Sequence, residues 1–342
     1  MRVLQTGVWL ALAASVAHGF SFTPENSSEF NSPKIPMLKN LTALQTSNGD
    51  SFWSSSFLTG SDGHQYMLIS HALVTGTSLV RSSILDITNT SNYWSNSTYV
   101  SITNTTVNSV FNITLPHFTF LSTSPDSISQ LQTSMTTPDY SYQLFFNATS
   151  KSLINMGGNP WNFGYGDTVE VGLPACQTSG SLTVNGKTIT VDPTNSFTWY
   201  DRQMASGGPL GNWTWFQLHF PGSDIKASVW ALDSSQPDAE REFRFATVRN
   251  GDQTGIIPTT LTSDYSQKFT STNSNVTYPL SWTLDFGASG YLTLASARPD
   301  QEMAGATVVT DFAYEGFVTA TGCFMGLTEA YGVVEMTRTI PL

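Results

Sequence analysis

The chain reads as an all-β protein built as a sandwich or barrel, and three observations point there. Helical patterning is scarce after the first twenty residues, while short alternating runs rich in Val, Ile, Thr and aromatic residues recur between Gly, Asn, Asp and Pro. Hairpin turns are legible: Asn185-Gly186 between Leu182-Thr183-Val184 and Thr188-Ile189-Thr190 has type I′ composition, and Pro221-Gly222-Ser223-Asp224 joins two further runs. The 342 residues are 39% hydrophobic and 12% aromatic, enough core for two domains or one large all-β unit, and too apolar for disorder.

Met1-Arg2, an apolar run over 8–14 and Ala17-His18-Gly19 form the pattern of a signal peptide over residues 1–19. That run is too short to cross a bilayer, and no later stretch approaches the about 18–20 apolar residues required, so no stable membrane insertion is expected. Strands are expected at 65–71, 98–102, 140–146, 181–191, 197–203, 213–220, 225–232, 291–296 and 332–339. Only Asp238-Ala239-Glu240-Arg241-Glu242 looks helical. Between two aromatic strands, Met204 to Leu210 turns to Ala-Ser-Gly-Gly-Pro-Leu, which marks a hinge or boundary and divides the mature chain into 20–205 and 206–342.

Charge is sparse and acidic, with 14 Lys+Arg against 25 Asp+Glu, and only 11% of residues charged against roughly 25% in an ordinary soluble protein. No basic cluster exists to release counterions from phosphates, so nucleic acid is not a partner. Sequons at Asn26, Asn40, Asn89, Asn96, Asn104, Asn112, Asn147, Asn212 and Asn275, crowded between 89 and 112, predict a glycosylated chain that is secreted or resides in the secretory-pathway lumen. In that oxidising compartment Cys176 and Cys323 are expected to form a disulfide, worth on the order of 4–5 kcal/mol in the chain-entropy model; two buried thiols are the alternative.

The segment richest in chemistry is Phe197-Thr198-Trp199-Tyr200-Asp201-Arg202-Gln203, followed by Gly211-Asn212-Trp213-Thr214-Trp215-Phe216-Gln217-Leu218-His219. With a period of two, Trp199, Asp201 and Gln203 share one face, Tyr200 and Arg202 the other, and Trp213, Trp215, Gln217 and His219 share a face of the next strand. If the two strands pair, one aromatic face carries a carboxylate, amides and a histidine, the mixture a small-molecule pocket needs. Aromatic surroundings would keep Asp201 partly protonated as the acid/base. Arg202 reaches such a pocket only through a bulge and is otherwise structural. His71 and His219 are candidate proton shuttles, Tyr66 and Tyr200 candidate donors to a carbonyl, and Trp53, Trp161, Trp199, Trp213 and Trp215 candidate walls. Trp161 lies in a glycine-rich aromatic loop over 157–166 that suits a cleft mouth. Glu329 and Glu335 are expected to face solvent.

These residues resemble a family. Trp199 to Gln203, with Asn212-Trp213-Thr214-Trp215-Phe216, Ser51-Phe52-Trp53, Ser61-Asp62-Gly63-His64-Gln65-Tyr66 with His71, Tyr314-Glu315-Gly316 and Tyr331-Gly332-Val333-Val334-Glu335, is similar to the AttH/carotenoid-hydratase family. Within it they resemble the secreted kievitone hydratase-like group and the fungal hetero-Diels-Alderases of tropolone-sesquiterpenoid pathways. Relatives commonly continue Asp-Arg-Gln-Trp-Gly, where this chain has Met204-Ala205. The resemblance implies two lipocalin-like β-barrel or β-sandwich domains with a ligand cleft between them. It implies an enzyme acting on a hydrophobic terpenoid or phenolic natural product. The implied activity is dehydration to an o-quinone methide-like intermediate with hetero-Diels-Alder cycloaddition, or addition of water to a prenyl side chain. General acid, electrostatic stabilisation and water exclusion serve both.

No cofactor or metal is expected: His64, His71, His117 and His219 lack zinc-type pairing, and no glycine-rich phosphate loop follows a strand. A serine hydrolase is set aside for want of a Gly-x-Ser-x-Gly elbow. A paired-carboxylate glycosidase drawing on Asp201, Asp233, Glu240 or Glu242 stays open on spacing alone. The rival from another class is a secreted carrier of lipids or terpenoids that performs no chemistry.

Overall fold

The strand Asp50–Thr59 is buried along nearly its whole length, and Ser78–Asp86 along all of it. A sheet with one face in water would alternate buried and exposed residues; burial on both faces requires a layer on each side. The computed structural model describes residues 19–28, 30, 49–163, 166–207, 211–234, 242–303 and 312–337, and supplies those layers as two antiparallel sheets. Beyond strands, the described residues hold only short 3-10 turns at Asn155–Gly158, Pro193–Asn195 and Gly287–Ser289.

The first sheet has fourteen strands, ordered from Tyr93–Val100 through Ser78–Asp86, Gln65–Val74, Asp50–Thr59, Phe197–Ala205 and Asp167–Val184 to Tyr140–Asn147 and beyond. Its two arms curl over one another, so that Ser70 Oγ meets Thr133 Oγ1 at 2.7 Å and Ser82 Oγ meets Tyr140 Oη at 2.6 Å. Asp167–Val184 serves both arms, pairing with Phe197–Ala205 over 168–177 and with Tyr140–Asn147 over 178–184. The corner between them carries a register shift from Leu173 to Cys176 and Gly180 at φ 127°, where a Cβ would lie 2.1 Å from Gln143 O.

The second sheet has ten strands, among them Phe243–Asn250, Ile225–Ser234, Gly211–His219, Leu327–Thr337, Ala313–Phe324 and Gly290–Ser296 in that spatial order. Each sheet wraps a core of its own, around Phe111, Phe120, Leu144 and Tyr200 in the first and Phe216, Trp282, Leu294 and Phe324 in the second. A third cluster, with Trp53, Phe57, Phe197, Trp199, Trp215, Trp230 and Tyr331, lies between the sheets. Phe22, on the segment before the first strand, wedges into it against Phe57 and Tyr331, and Glu25 pairs with buried Arg249 of the second sheet.

The all-β fold is as read from the sequence, including the 185–186 turn, whose residues sit at φ 51° and 72° as type I′ requires. The chain leaves the first sheet at Ala205 and enters the second at Gly211. The 197–203 and 213–220 runs do not pair: they belong to different sheets and meet face to face, with Trp199 and Trp215 ring centroids 6.2 Å apart. The expected helix at 238–242, Glu242 apart, lies outside the described residues, as do Asn40, 208–210 of the hinge and residues 1–18 of the signal peptide.

The expected disulfide is not formed, and both cysteines are free. Cys176 is sealed in the first core, whereas Cys323 is exposed on the second sheet near its Met325-Gly326 turn. Burial pushes the Cys176 thiol up to about 12. Iodoacetamide on the native protein is therefore expected to label Cys323 alone, with Cys176 reacting only after unfolding. Mass spectrometry of the two peptides reads this out, and protection of both until reduction would restore the disulfide.

Candidate active site

Residues directly opposite each other on paired strands share a sheet face. In the first sheet, register places Gly172, Asp201, Trp53, His71 and Arg81 in one row across five strands. In the second it places Glu315, Glu335, Trp215, Trp230 and Phe245 in one row across another five. The two rows face each other. Trp53 Nε1 donates to Glu315 Oε2 at 3.2 Å, the Trp53 and Trp215 rings meet edge to face at 5.2 Å, and Arg81 Nη2 lies 3.2 Å from Glu315 Oε1 and 3.3 Å from Glu335 Oε1.

Where the rows diverge they leave a cleft of about 180 Å³. Its apolar lining comes from Trp53, Leu73, Leu79, Phe163, Trp213, Trp215, Trp230 and Phe312, and its polar lining includes Ser51, His71, Arg81, Asp201, Gln203 and Glu335. Apolar walls with a few convergent polar groups are the composition of a site for a small hydrophobic molecule.

Four buried carboxyls crowd this space. Asp201 is raised to about 8, chiefly because burial disfavours its charge, against which Trp199 Nε1 donates to Oδ1 at 3.4 Å. Glu170 lies behind it, takes a hydrogen bond from Asn155, and is raised well above the ordinary carboxylate range by burial and then by the Asp201 charge. Glu315 is raised well above its usual value by burial and by neighbouring Glu335. Glu335 is raised by burial while Arg81 pulls it back. One guanidinium thus lies between Glu315 and Glu335, and burial shifts all four acids toward their protonated forms.

His71 donates and accepts in one fixed sense. Arg81 Nε donates to His71 Nδ1 at 3.0 Å, so the neutral ring carries its proton on Nε2, which points at Ser51 Oγ at 2.9 Å. Burial and the Arg81 charge hold its pKa well below 6.5.

Of the residues singled out from sequence, Asp201, His71, Trp53, Trp213 and Trp215 line the cleft. Arg202 does not: it is buried on the opposite face, 2.5 Å from Asp50 Oδ1 and over the Phe52 ring, because no bulge reorients its strand. Tyr200 shares that face and packs on Phe120 and Phe146. Tyr66 sits in the first core with its hydroxyl on Asp62 Oδ2. His219 is caged by Phe57, Phe197, Trp199 and Tyr331, away from the cleft, and neither ring nitrogen has a hydrogen-bond partner among the described residues. With both nitrogens of His71 engaged and His219 walled off, neither is placed as a proton shuttle. Trp199 and Trp161 stand one layer back, Trp199 holding Asp201 and Trp161 packing on Trp230 and Phe245. Glu335, expected in solvent, is buried on the cleft; Glu329 is exposed. Arg81, Glu170 and Trp230 escaped the sequence reading, and Ser51 and Glu315 entered it only as part of the family pattern, with no role assigned. Among the described residues no group of three His, Cys, Asp or Glu side chains is arranged to hold a metal.

Two curled sheets with an acid-lined aromatic cleft between them define a β-fold protein with a small-molecule site. The chain belongs to the AttH-like family, whose pattern matches residues 77–338. It is 37% identical to kievitone hydratase of Fusarium solani subsp. phaseoli over 95% of this chain and 93% of that one. It is 33% identical to dehydratase asqC of Emericella nidulans, over 98% and 99% of the two chains. The crystal structure of kievitone hydratase from Nectria haematococca superposes with a TM-score of 0.85 at 33% identity, covering 94% of this chain and 99% of that one. The chain is an enzyme of the hydratase and dehydratase kind.

A raised acid makes stability fall with pH. Between the unfolded value near 4 and the folded value near 8, native Asp201 keeps a proton that the unfolded chain has released, so rising pH favours unfolding through that window. Asp201→Asn, a neutral isostere of the protonated acid, is expected to match the wild type at pH 4 and to exceed it increasingly toward pH 8. The gain is about 2–4 °C in Tm for each kcal/mol relieved. Thermal unfolding at stepped pH measures it, and a variant less stable at pH 8 than at pH 4 relative to wild type would refute the assignment.

Proposed function

We propose that the enzyme removes water from a hydroxylated hydrophobic terpenoid or phenolic substrate, giving an o-quinone methide-like dienone that adds to an alkene by hetero-Diels-Alder cycloaddition. The observation that carries this reading is a buried Asp201, its pKa raised to about 8, that lines an aromatic cleft together with Glu335 and its partner Arg81. In the proposed step the substrate C–O bond breaks as Asp201 gives its proton to the departing hydroxyl, which leaves as water. Glu335 takes the proton from the ring hydroxyl, and that electron pair forms the new C=O. The acids exchange roles and the net charge of the cluster stays constant, so no charge is created in a dry site. Aromatic walls then hold dienone and alkene face to face, where orientation supplies about 7–11 kcal/mol of barrier lowering.

A second reading, addition of water to a prenyl side chain, is favoured by the 37% identity to kievitone hydratase. There Asp201 protonates the alkene carbon and Glu335 accepts a proton from the attacking water, with the same balance. We infer further that the protein works in a secretory lumen or outside the cell. The eight sequon asparagines among the described residues, Asn26, Asn89, Asn96, Asn104, Asn112, Asn147, Asn212 and Asn275, are all at least partly accessible, which supports that placement.

The purified protein is incubated with a tropolone carbinol plus humulene and, separately, with a prenylated phenol. Loss of water with a chiral adduct supports the first reading and gain of water the second; a racemic adduct at the uncatalysed rate with no hydration sinks both. Asp201→Asn is expected to lose about 10²–10⁴-fold in turnover while still binding substrate. Because the acid must carry its proton, wild-type kcat/KM should fall as pH rises through about 8. A pH-independent rate to pH 9 would remove Asp201 from the role.

A further inference from the structure

We propose that Ser51 is a hydrogen-bond donor to a carbonyl or phenolate oxygen of the substrate, aimed into the cleft by a one-way relay from Arg81 through His71. The direction follows from atom chemistry. A guanidinium has no acceptor, so Arg81 Nε–H must donate to His71 Nδ1, 3.0 Å away. A neutral imidazole with an accepting Nδ1 carries its hydrogen on Nε2, and that hydrogen goes to Ser51 Oγ at 2.9 Å. The serine oxygen is then used as an acceptor, and its own hydrogen is committed to nothing among the described residues while the side chain lines the cavity.

Each member of the relay is pinned. Ser51, His71 and Arg81 sit on three adjacent antiparallel strands, with His71 directly opposite Arg81. Arg81 is anchored from the other sheet by Glu315 and Glu335, and Arg202 Nη1 reaches the Ser51 carbonyl from behind. A chain of hydrogen bonds beginning at a buried cation polarises the terminal hydroxyl and makes it a stronger donor than an isolated serine. What such a donor recognises is an oxygen that gains negative charge, as in a conjugated carbonyl or a tropolone-type ring. Ser51 is thus a binding residue, with His71 and Arg81 as positioning residues. The inference rests on the cleft being the substrate site.

Two probes separate the proposal from the reading beneath it: 4-(dimethylamino)benzaldehyde, and N,N-dimethyl-4-methylaniline, the same ring without the carbonyl. Binding to the full chain is followed by tryptophan fluorescence, and the aldehyde also by its absorption band, which moves to longer wavelength when the oxygen accepts a hydrogen bond. Wild type is expected to prefer the aldehyde about tenfold, with the band at long wavelength. Ser51→Ala should erase the preference and return the band to its position in an apolar solvent, leaving affinity for the amine unchanged. Ser51→Thr should retain both, and His71→Ala should weaken the aldehyde selectively. A Ser51→Ala variant with undiminished preference and band position overturns the proposal. Failure of wild type to bind either probe overturns the substrate-cleft reading itself.

Discussion

Four carboxyls and one guanidinium share a space from which the two sheets exclude water, and that imbalance governs the site. Ionising every acid would leave three uncompensated negative charges in a low dielectric, at several kcal/mol each even after relaxation. Burial accordingly shifts Glu170, Glu315 and Asp201 toward their protonated forms, and Arg81 is placed between Glu315 and Glu335. The store of mobile protons is therefore a consequence of packing. It also fixes the orientation of Arg81, whose Nη2 faces the carboxylates while its Nε donates to His71.

Such a cluster could not sit inside either sheet's own core without replacing the aromatic and aliphatic packing that holds it together. Between the sheets it displaces only part of a third apolar layer, and the cost is spread over contacts both sheets supply. Trp53 shows the economy: its ring packs on Trp215 while its N–H satisfies Glu315 of the opposite sheet. Gly172 does the same work by absence, because a Cβ there would lie 3.0 Å from the Trp199 indole nitrogen that holds Asp201. Trp53, His71, Arg81, Asp201, Glu315 and Glu335 lie on central strands paired on both sides, which holds them in place, while Phe163 and Phe312 reach the cleft from outside the strands.

The fold class was legible because strand period and turn chemistry are local. The 185–186 turn and the runs at 140–146 and 225–232 needed no tertiary information. Asp201 was legible for a similar reason, since a carboxylate between Trp199 and Gln203 on one strand face can be seen from spacing alone. Its partners could not be. Glu335 is 134 positions away and faces Asp201 from another sheet, and Arg81 meets Glu315 across 234, so proximity arises only from the packing of two registers. One local signal was present: Val169-Glu170-Val171, Val80-Arg81 and Val334-Glu335-Met336 set a charge among residues that belong in a core. A charged residue in a strand apolar on both faces announces a buried charge, and Glu335, expected to face solvent, carries that signal. Arg202 and Tyr200 lie on the strand face opposite Asp201, as a period of two implies, and no bulge brings Arg202 round to the cleft.

Removing and adding water call on the same acid and the same acceptor, so the two proposed reactions differ in what meets the intermediate. A cation formed by protonating an alkene is captured by water, which then needs a place in the cleft. A neutral dienone formed by losing water persists until a second alkene reaches it, which needs water kept out. Trp53, Trp213, Trp215 and Trp230 favour exclusion, and their faces can also shelter a cation. The proposed Arg81–His71–Ser51 relay breaks the tie, since it offers a polarised donor to an oxygen. Protonation of an isolated prenyl alkene develops no charge on oxygen, whereas a dienone carries its activation there. In the proposed reaction the cleft is in that respect matched to a carbonyl-conjugated intermediate, the carboxyls moving protons and the proposed Ser51 donor holding the oxygen toward which electron density would flow during the proposed cycloaddition.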